Sequence, residues 1–142
     1  MNDKAESFKK YLAEKKVEAF TLEETKDALD TVVFRSRIDV DGNALPTIIL
    51  LDRSIYPMIR VLVAPNVLRE DNELRLLRLL NGYNRKYKSF KYYLDDSGAL
   101  ILDSCLPDKL KEVDGDLVYI LLDVIIHHLQ EEYKTIMKEI WK

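Results

Sequence analysis

Three runs of alternating residues, Thr31–Val40, Leu45–Asp52 and Tyr56–Ala64, succeed one another with no helix between them. Period-two alternation puts successive side chains on opposite faces of a strand, so the runs read as neighbours in one antiparallel sheet. In the first, Val32, Phe34, Ile38 and Val40 share a face, and Val33, Arg35, Arg37 and Asp39 share the other. Asp41-Gly42-Asn43 supplies the left-handed backbone geometry of a tight hairpin. Pro46 stands at the start of the returning strand, where a missing donor is tolerated. Arg53-Ser54-Ile55 makes the next turn, and Pro65-Asn66 ends the third run.

Helical periodicity flanks this block. Asp3–Lys16 predicts a short amphipathic helix with Phe8, Tyr11 and Leu12 on one face. Val17–Thr25 is ambiguous, with Val17, Ala19 and Leu22 available to a short edge strand. Glu73–Tyr87 is a helix with Leu76, Leu79, Leu80, Tyr83 and Tyr87 in one stripe, and Asp71 or Asn72 as its N-cap. Ser89–Asp95 and Ala99–Asp103 form a hairpin around Asp96-Ser97-Gly98, Gly98 suiting a positive φ. Pro107 breaks the chain. Asp114-Gly115-Asp116 then opens a long helix to about Trp141, with Leu117, Leu121, Val124, Ile125, Leu129 and Ile136 as its apolar stripe.

The prediction is an α+β domain: an antiparallel sheet of five or six strands and three helices, mainly on one face, in the order α-β-β-β(-β)-α-β-β-α. The 142 residues contain no repeat, low-complexity tract or linker, so residues 1–142 read as a single domain. That length suffices to bury roughly two-thirds of the surface the unfolded chain exposes.

Composition narrows the partners. The 22 basic and 25 acidic residues are interspersed and leave a net charge of −3. Phosphate-backbone binding needs clustered Lys and Arg, so nucleic acid is not expected. No stretch approaches the ~20 apolar residues of a membrane span. The beginning, MNDKAESFKKYLAEKK, has no apolar core of a secretory signal, and a cytoplasmic address is expected. The one cysteine, Cys105, excludes an internal disulfide and the usual zinc cages.

Catalytic signals are absent from the sequence pattern. His127 and His128 are adjacent and point about 100° apart on a helix, so they cannot share a metal. His127 falls on the wet face with Asp123, Glu131 and Lys134, and His128 at the edge of the apolar stripe, as a partly buried, hydrogen-bonded histidine. Cys105 has no basic neighbour in sequence to stabilise a thiolate and reads as a small packing residue. Asp95 and Asp96, at a hairpin tip, are expected to cap their own turn, and Asp39 and Asp41 beside Gly42 invite the same reading. The four glycines are scattered singly and build no phosphate-cradling loop. Asn81 and Asn84 share a helix flank, where their amides satisfy backbone groups at the helix–strand junction. No enzyme, no cofactor and no metal site is expected.

From Leu74 to Pro107, the pair Asn81 and Asn84 near a helix end, an aromatic strand, Asp95-Asp96-Ser97-Gly98 and a short apolar strand resemble the YbjN-like family. That family is labelled as bacterial sensory transduction regulators, and its fold is similar to that of type III secretion chaperones. The resemblance implies a compact α+β domain, often dimeric, that binds other proteins and has no known reaction. Lys88, Lys91 and the pair Tyr92-Tyr93 depart from what ties to the family.

One anomaly bears on function. Strict alternation should leave the sheet face away from the core polar, yet both faces are substantially apolar. Ile48 and Leu50 oppose Ile49 and Leu51, while Ile59, Val61 and Val63 oppose Met58, Arg60 and Leu62. Three helices are too few to cover two full faces. The second face is then capped by the first helix, buried in a homodimer or offered to another protein. Ile49, Leu51, Met58 and Leu62 are the expected contact residues, with Arg35, Arg37 and Arg60 as a rim that steers acidic groups. Burying four such side chains contributes roughly 6–10 kcal/mol before association costs. The expected function is thus a non-enzymatic, chaperone-like or regulatory binding module, holding a partner segment on a sheet face or edge. The alternative is a small-molecule sensor with a pocket between the sheet and the last helix, lined by Tyr92, Tyr119 and His128.

Overall fold

The computed structural model describes residues 1–142. Its elements are α1 (Asp3–Glu14), β1 (Thr21–Glu24), β2 (Val32–Val40), β3 (Asn43–Leu51), β4 (Met58–Ala64), α2 (Glu73–Lys86), β5 (Lys91–Leu94), β6 (Leu100–Cys105) and α3 (Gly115–Ile140). The six strands form one antiparallel sheet in the order β1-β2-β3-β4-β6-β5. This is the α+β architecture the alternating runs and helical stripes predict. No helix is long and apolar enough to cross a membrane.

The β2–β3 hairpin closes with Asp41 at φ 49° and Gly42 at φ 77°, the two left-handed residues of a two-residue turn. That turn pairs Val40 with Asn43 and therefore Phe34 with Ile49 and Val32 with Leu51. Ile49 in turn faces Ile59 on β4. Residues directly opposite one another share a face, so all five line the core.

All three helices pack on this one face. Phe8 of α1 meets Phe34 edge-on, ring centroids 5.0 Å apart. Leu76, Leu80 and Tyr83 of α2 join the same core. From α3 the core takes Val118, Leu122, Ile125, Leu129, Tyr133, Ile136 and Ile140, a strip at three- and four-residue spacing. This differs from the sequence-predicted stripe, because Leu117 and Val124 lie on the exposed flank. The sheet's width is covered by only one long helix, which turns its second apolar flank outward.

Capping follows the sequence at one helix and departs from it at another. Asp114 caps α3, accepting from the Leu117 amide at 3.1 Å. Asn72 precedes α2 but makes no cap bond. Its fully buried amide accepts from the Arg69 N–H (2.8 Å) and donates to the carbonyls of Val67 (2.8 Å) and Ile140 (3.2 Å). The entry to α2 is thereby tied to the end of α3.

Candidate functional site: the uncovered sheet face

The outward parity of the central strands carries Val33, Arg35, Arg37 and Asp39 on β2, then Pro46, Ile48 and Leu50 on β3. It continues with Met58, Arg60 and Leu62 on β4, and Ile101, Asp103 and Cys105 on β6. None of these residues belongs to the helix-covered core or packs against it. Register places Val33, Leu50, Met58 and Cys105 side by side across the sheet, while Leu62 lies beside Ile101. Between these apolar rows runs a polar one: Arg35, Ile48, Arg60, Asp103 and Lys91. At about 4.8 Å between strands and 3.4 Å per residue, four strands six residues deep cover on the order of 400 Å². That footprint includes the charged row as well as the apolar ones, and within it Val33 and Ile101 are themselves buried while Ile48, Leu50, Met58 and Leu62 are partly exposed.

Two of the sequence-predicted contact residues are misplaced. Ile49 is 1% and Leu51 0% exposed, because their register with Phe34 and Val32 turns them into the core. They are unreachable by any partner, and their neighbours Ile48 and Leu50 hold the outward positions. Met58 and Leu62 stand on the outer face, partly exposed. The arginines also differ from the expected rim. Arg60 sits mid-face in a two-bond pair with Asp103, Nε to Oδ1 at 2.8 Å and Nη2 to Oδ2 at 2.9 Å. Arg35 is exposed and paired with Glu23 of β1 at 2.7 Å, and Arg37 is exposed with no ionic partner within 4.0 Å. Helix α1 packs with the core and leaves this face open.

Both ends of the sheet are edges, and they differ. β1 is exposed along its whole length. At β5 the alternation of bonded and non-bonded pairs turns the N–H and C=O of Tyr92 outward. There the Asn84 side chain meets them: Oδ1 accepts the Tyr92 N–H at 2.8 Å, and Nδ2 donates to the Tyr92 carbonyl at 3.1 Å. A primary amide thus imitates the strand that would otherwise pair at this place. The junction role expected of the two asparagines belongs to Asn84, while Asn81 is solvent-exposed. Nothing in the Asn-x-x-Asn spacing says which of the two faces β5.

The groups considered for chemistry lie apart. His128 is 4% exposed, more deeply buried than the edge of a stripe implies. It is surrounded by Tyr83, Tyr87, Phe90 and Tyr92, with ring centroids 4.5–5.6 Å away. Its Nε2 lies 2.7 Å from the Tyr92 hydroxyl, and Nδ1 has no hydrogen-bond partner. Burial pulls its pKa down from 6.5 to about 4, against the opposing pull of Glu132. The Tyr83 hydroxyl donates to Glu132 at 3.0 Å; burial first, then this bond, raises its pKa well above the ordinary value. Cys105 is exposed on the outer face rather than packed inside, because β6 ends there. Partial desolvation and then Asp103 push its thiol pKa up, away from the reactive thiolate. Asp95 accepts from the Ser97 hydroxyl and amide and the Ala99 amide, capping its own turn as expected. No three His, Cys, Asp or Glu side chains converge as metal ligands do.

The pocket expected between sheet and last helix is differently lined. A cleft of about 240 Å³ runs between α3 and the β2–β3 end of the sheet, bounded by Phe20, Ile38, Thr47, Tyr119, Leu122 and Ile126. Tyr119 lines it, whereas Tyr92 and His128 belong to the aromatic cluster under α2. No protein-family model matches the chain, and no curated protein matches it either.

Proposed function

We propose that the protein is a non-enzymatic binding module of chaperone-like or regulatory type, which holds a segment of another protein on the outer face of β2–β3–β4–β6. The observation that carries this reading is the set Ile48, Leu50, Met58 and Leu62, apolar, on one face and covered by no helix. Arg35 and Arg60 are already paired with Glu23 and Asp103, so Arg37 is the arginine left to favour a partner bearing acidic groups. Strand addition at β5 is disfavoured by the amide of Asn84, which leaves the face and the exposed β1 edge. The order of elements supports a relationship to the YbjN-like and secretion-chaperone-like group. The exposed flank of α3, Leu117, Ile120 and Val124, suits the contact of a homodimer and leaves the sheet free.

Affinity capture from the source cell's extract, comparing wild type with a folded Leu50→Asp, Leu62→Asp variant, tests the reading. A partner retained by wild type and lost by the variant is the expected result. Identical retention by both forms, or by neither, sinks it. The cleft lined by Tyr119 supports a second reading, a small apolar ligand held beside α3. A metabolite panel that leaves the melting temperature flat would remove that one.

A further inference from the structure

Lys4 is the only buried charged side chain in the protein, 7% exposed. Its Nζ donates to the backbone carbonyls of Asp52, at 3.4 Å, and Ser54. No carboxylate lies within 4.0 Å of it. A charge taken out of water is ordinarily stabilised by an opposite charge beside it; here only dipoles serve.

Lys4 lines a hollow of about 320 Å³ between the start of α1, the β3–β4 turn and residues 109–111. Arg53, Lys109 and Lys111 line the same hollow. Neither Lys109 nor Lys111 has a carboxylate within 4.0 Å, and the partner of Arg53 is Asp30, outside the lining, at 3.6 Å. Two carboxylates, Asp3 and Asp52, line it as well, together with Met1, whose ammonium lies 3.6 Å from Glu24. Asp52 is engaged by the Ser54 amide at 2.8 Å and the Ser54 hydroxyl at 2.5 Å. In a chain of net charge −3, this hollow runs against the average. The positive end of the twelve-residue α1 opens at the same place.

We propose that this hollow binds a small polyanion, phosphate- or carboxylate-based, whose charge compensates Lys4 and is gripped from outside by Lys109 and Lys111. Its volume is at the lower end for small-molecule sites, about 300 Å³, which suits an anion the size of pyrophosphate or citrate. The site lies apart from the outer sheet face and does not rest on the reading given above.

Pyrophosphate and citrate, titrated separately into the 15N-labelled full chain at constant ionic strength with chloride as reference, provide the test. Saturable amide shifts confined to residues 3–4, 52–54 and 109–111 are expected for at least one anion. A response to pyrophosphate alone assigns the phosphate class; one to citrate alone assigns polycarboxylates. In Lys109→Glu, Lys111→Glu, both positions being exposed, the affinity should fall at least tenfold while the melting temperature without anion stays unchanged. In Lys4→Met the anion-induced rise in melting temperature should vanish. No saturable shift with either anion, equal affinity in the double variant, or an undiminished thermal rise in Lys4→Met each overturns the proposal.

Discussion

Replacing Asn84 with alanine should open the β5 edge, and the size of the effect can be worked out. The variant loses the bonds from Oδ1 and Nδ2 to the Tyr92 backbone, 2.8 and 3.1 Å long. Because water can reach an edge, each loss is set at about 1 kcal/mol, the net value of an ordinary hydrogen bond. Alanine in the last turn of α2 returns about 0.5 kcal/mol of helix propensity, leaving a destabilisation of about 1.5 kcal/mol. At about 2.1 cal/mol/K per residue, the unfolding entropy of 142 residues is near 0.3 kcal/mol/K. The melting temperature should therefore fall by about 5 °C. Amide exchange gives the sharper readout. The Tyr92 N–H should exchange rapidly in Asn84→Ala and stay protected in Asn84→Asp, which keeps the acceptor and loses only the donor. The freed edge should also make the alanine variant self-associate in sedimentation at high concentration. Unchanged Tyr92 exchange in Asn84→Ala, or a fall of less than 1 °C, would refute the assignment of Asn84 as a substitute strand.

Ile49→Asp should unfold the domain, costing more than about 4 kcal/mol for a charge in a dry core, while Leu50→Asp next to it should cost about 1 kcal/mol or less; urea midpoints decide, and similar values would mean the facial assignment is wrong. Gly115→Ala should cost about 1–3 kcal/mol, since the new methyl meets the Tyr11 ring at 2.4–2.6 Å, and Tyr11→Ala should relieve most of that in a double-mutant cycle; additivity would count against the clash. His128 resists protonation when folded, with a pKa of about 4 against 6.5 when unfolded. The unfolded chain therefore binds the extra proton between those values, and stability present above pH 6.5 is lost as pH falls towards 4. The drop in urea midpoint between pH 7 and pH 4.5 should be smaller in His128→Gln, and equal drops in both proteins would discount the buried imidazole.

The strands and helices were legible because each local signal agreed with the tertiary outcome: alternation in β2, Asp41-Gly42 at the hairpin, and leucine spacing in α2. The outward face was legible as an excess of apolar parity, but its membership was not. In Thr47-Ile48-Ile49-Leu50-Leu51 both parities are aliphatic, so alternation cannot choose between them. The missing signal was the turn length, since a two-residue loop fixes paired positions at a constant sum and sets Ile49 opposite Phe34. On α3 a continuous apolar sequence hid which stripe faces the sheet, and the predicted stripe mixed core residues with the exposed flank. Arg60 was read as rim because its mate, Asp103, is 43 residues away. The cationic hollow escaped altogether, for Lys4, Arg53 and Lys109 converge only through the placement of α1 against a distant turn. Spacing along the chain carries no trace of that.

The buried amide of Asn72 has a consequence for how the chain is made. The last carbonyls of a helix lack partners within it, and in α3 those of Glu139 and Ile140 are taken by donors from the entry to α2: Asn72, Arg69 and Arg75. During synthesis these donors emerge about seventy residues before their acceptors. Until then the hairpins can pair, but the sheet's inner face lacks its longest cover, and Asn72 keeps only its local bonds to Arg69 and Val67. The bonds that tie the end of α3 to the entry of α2 can therefore form only once residue 140 has cleared the ribosome.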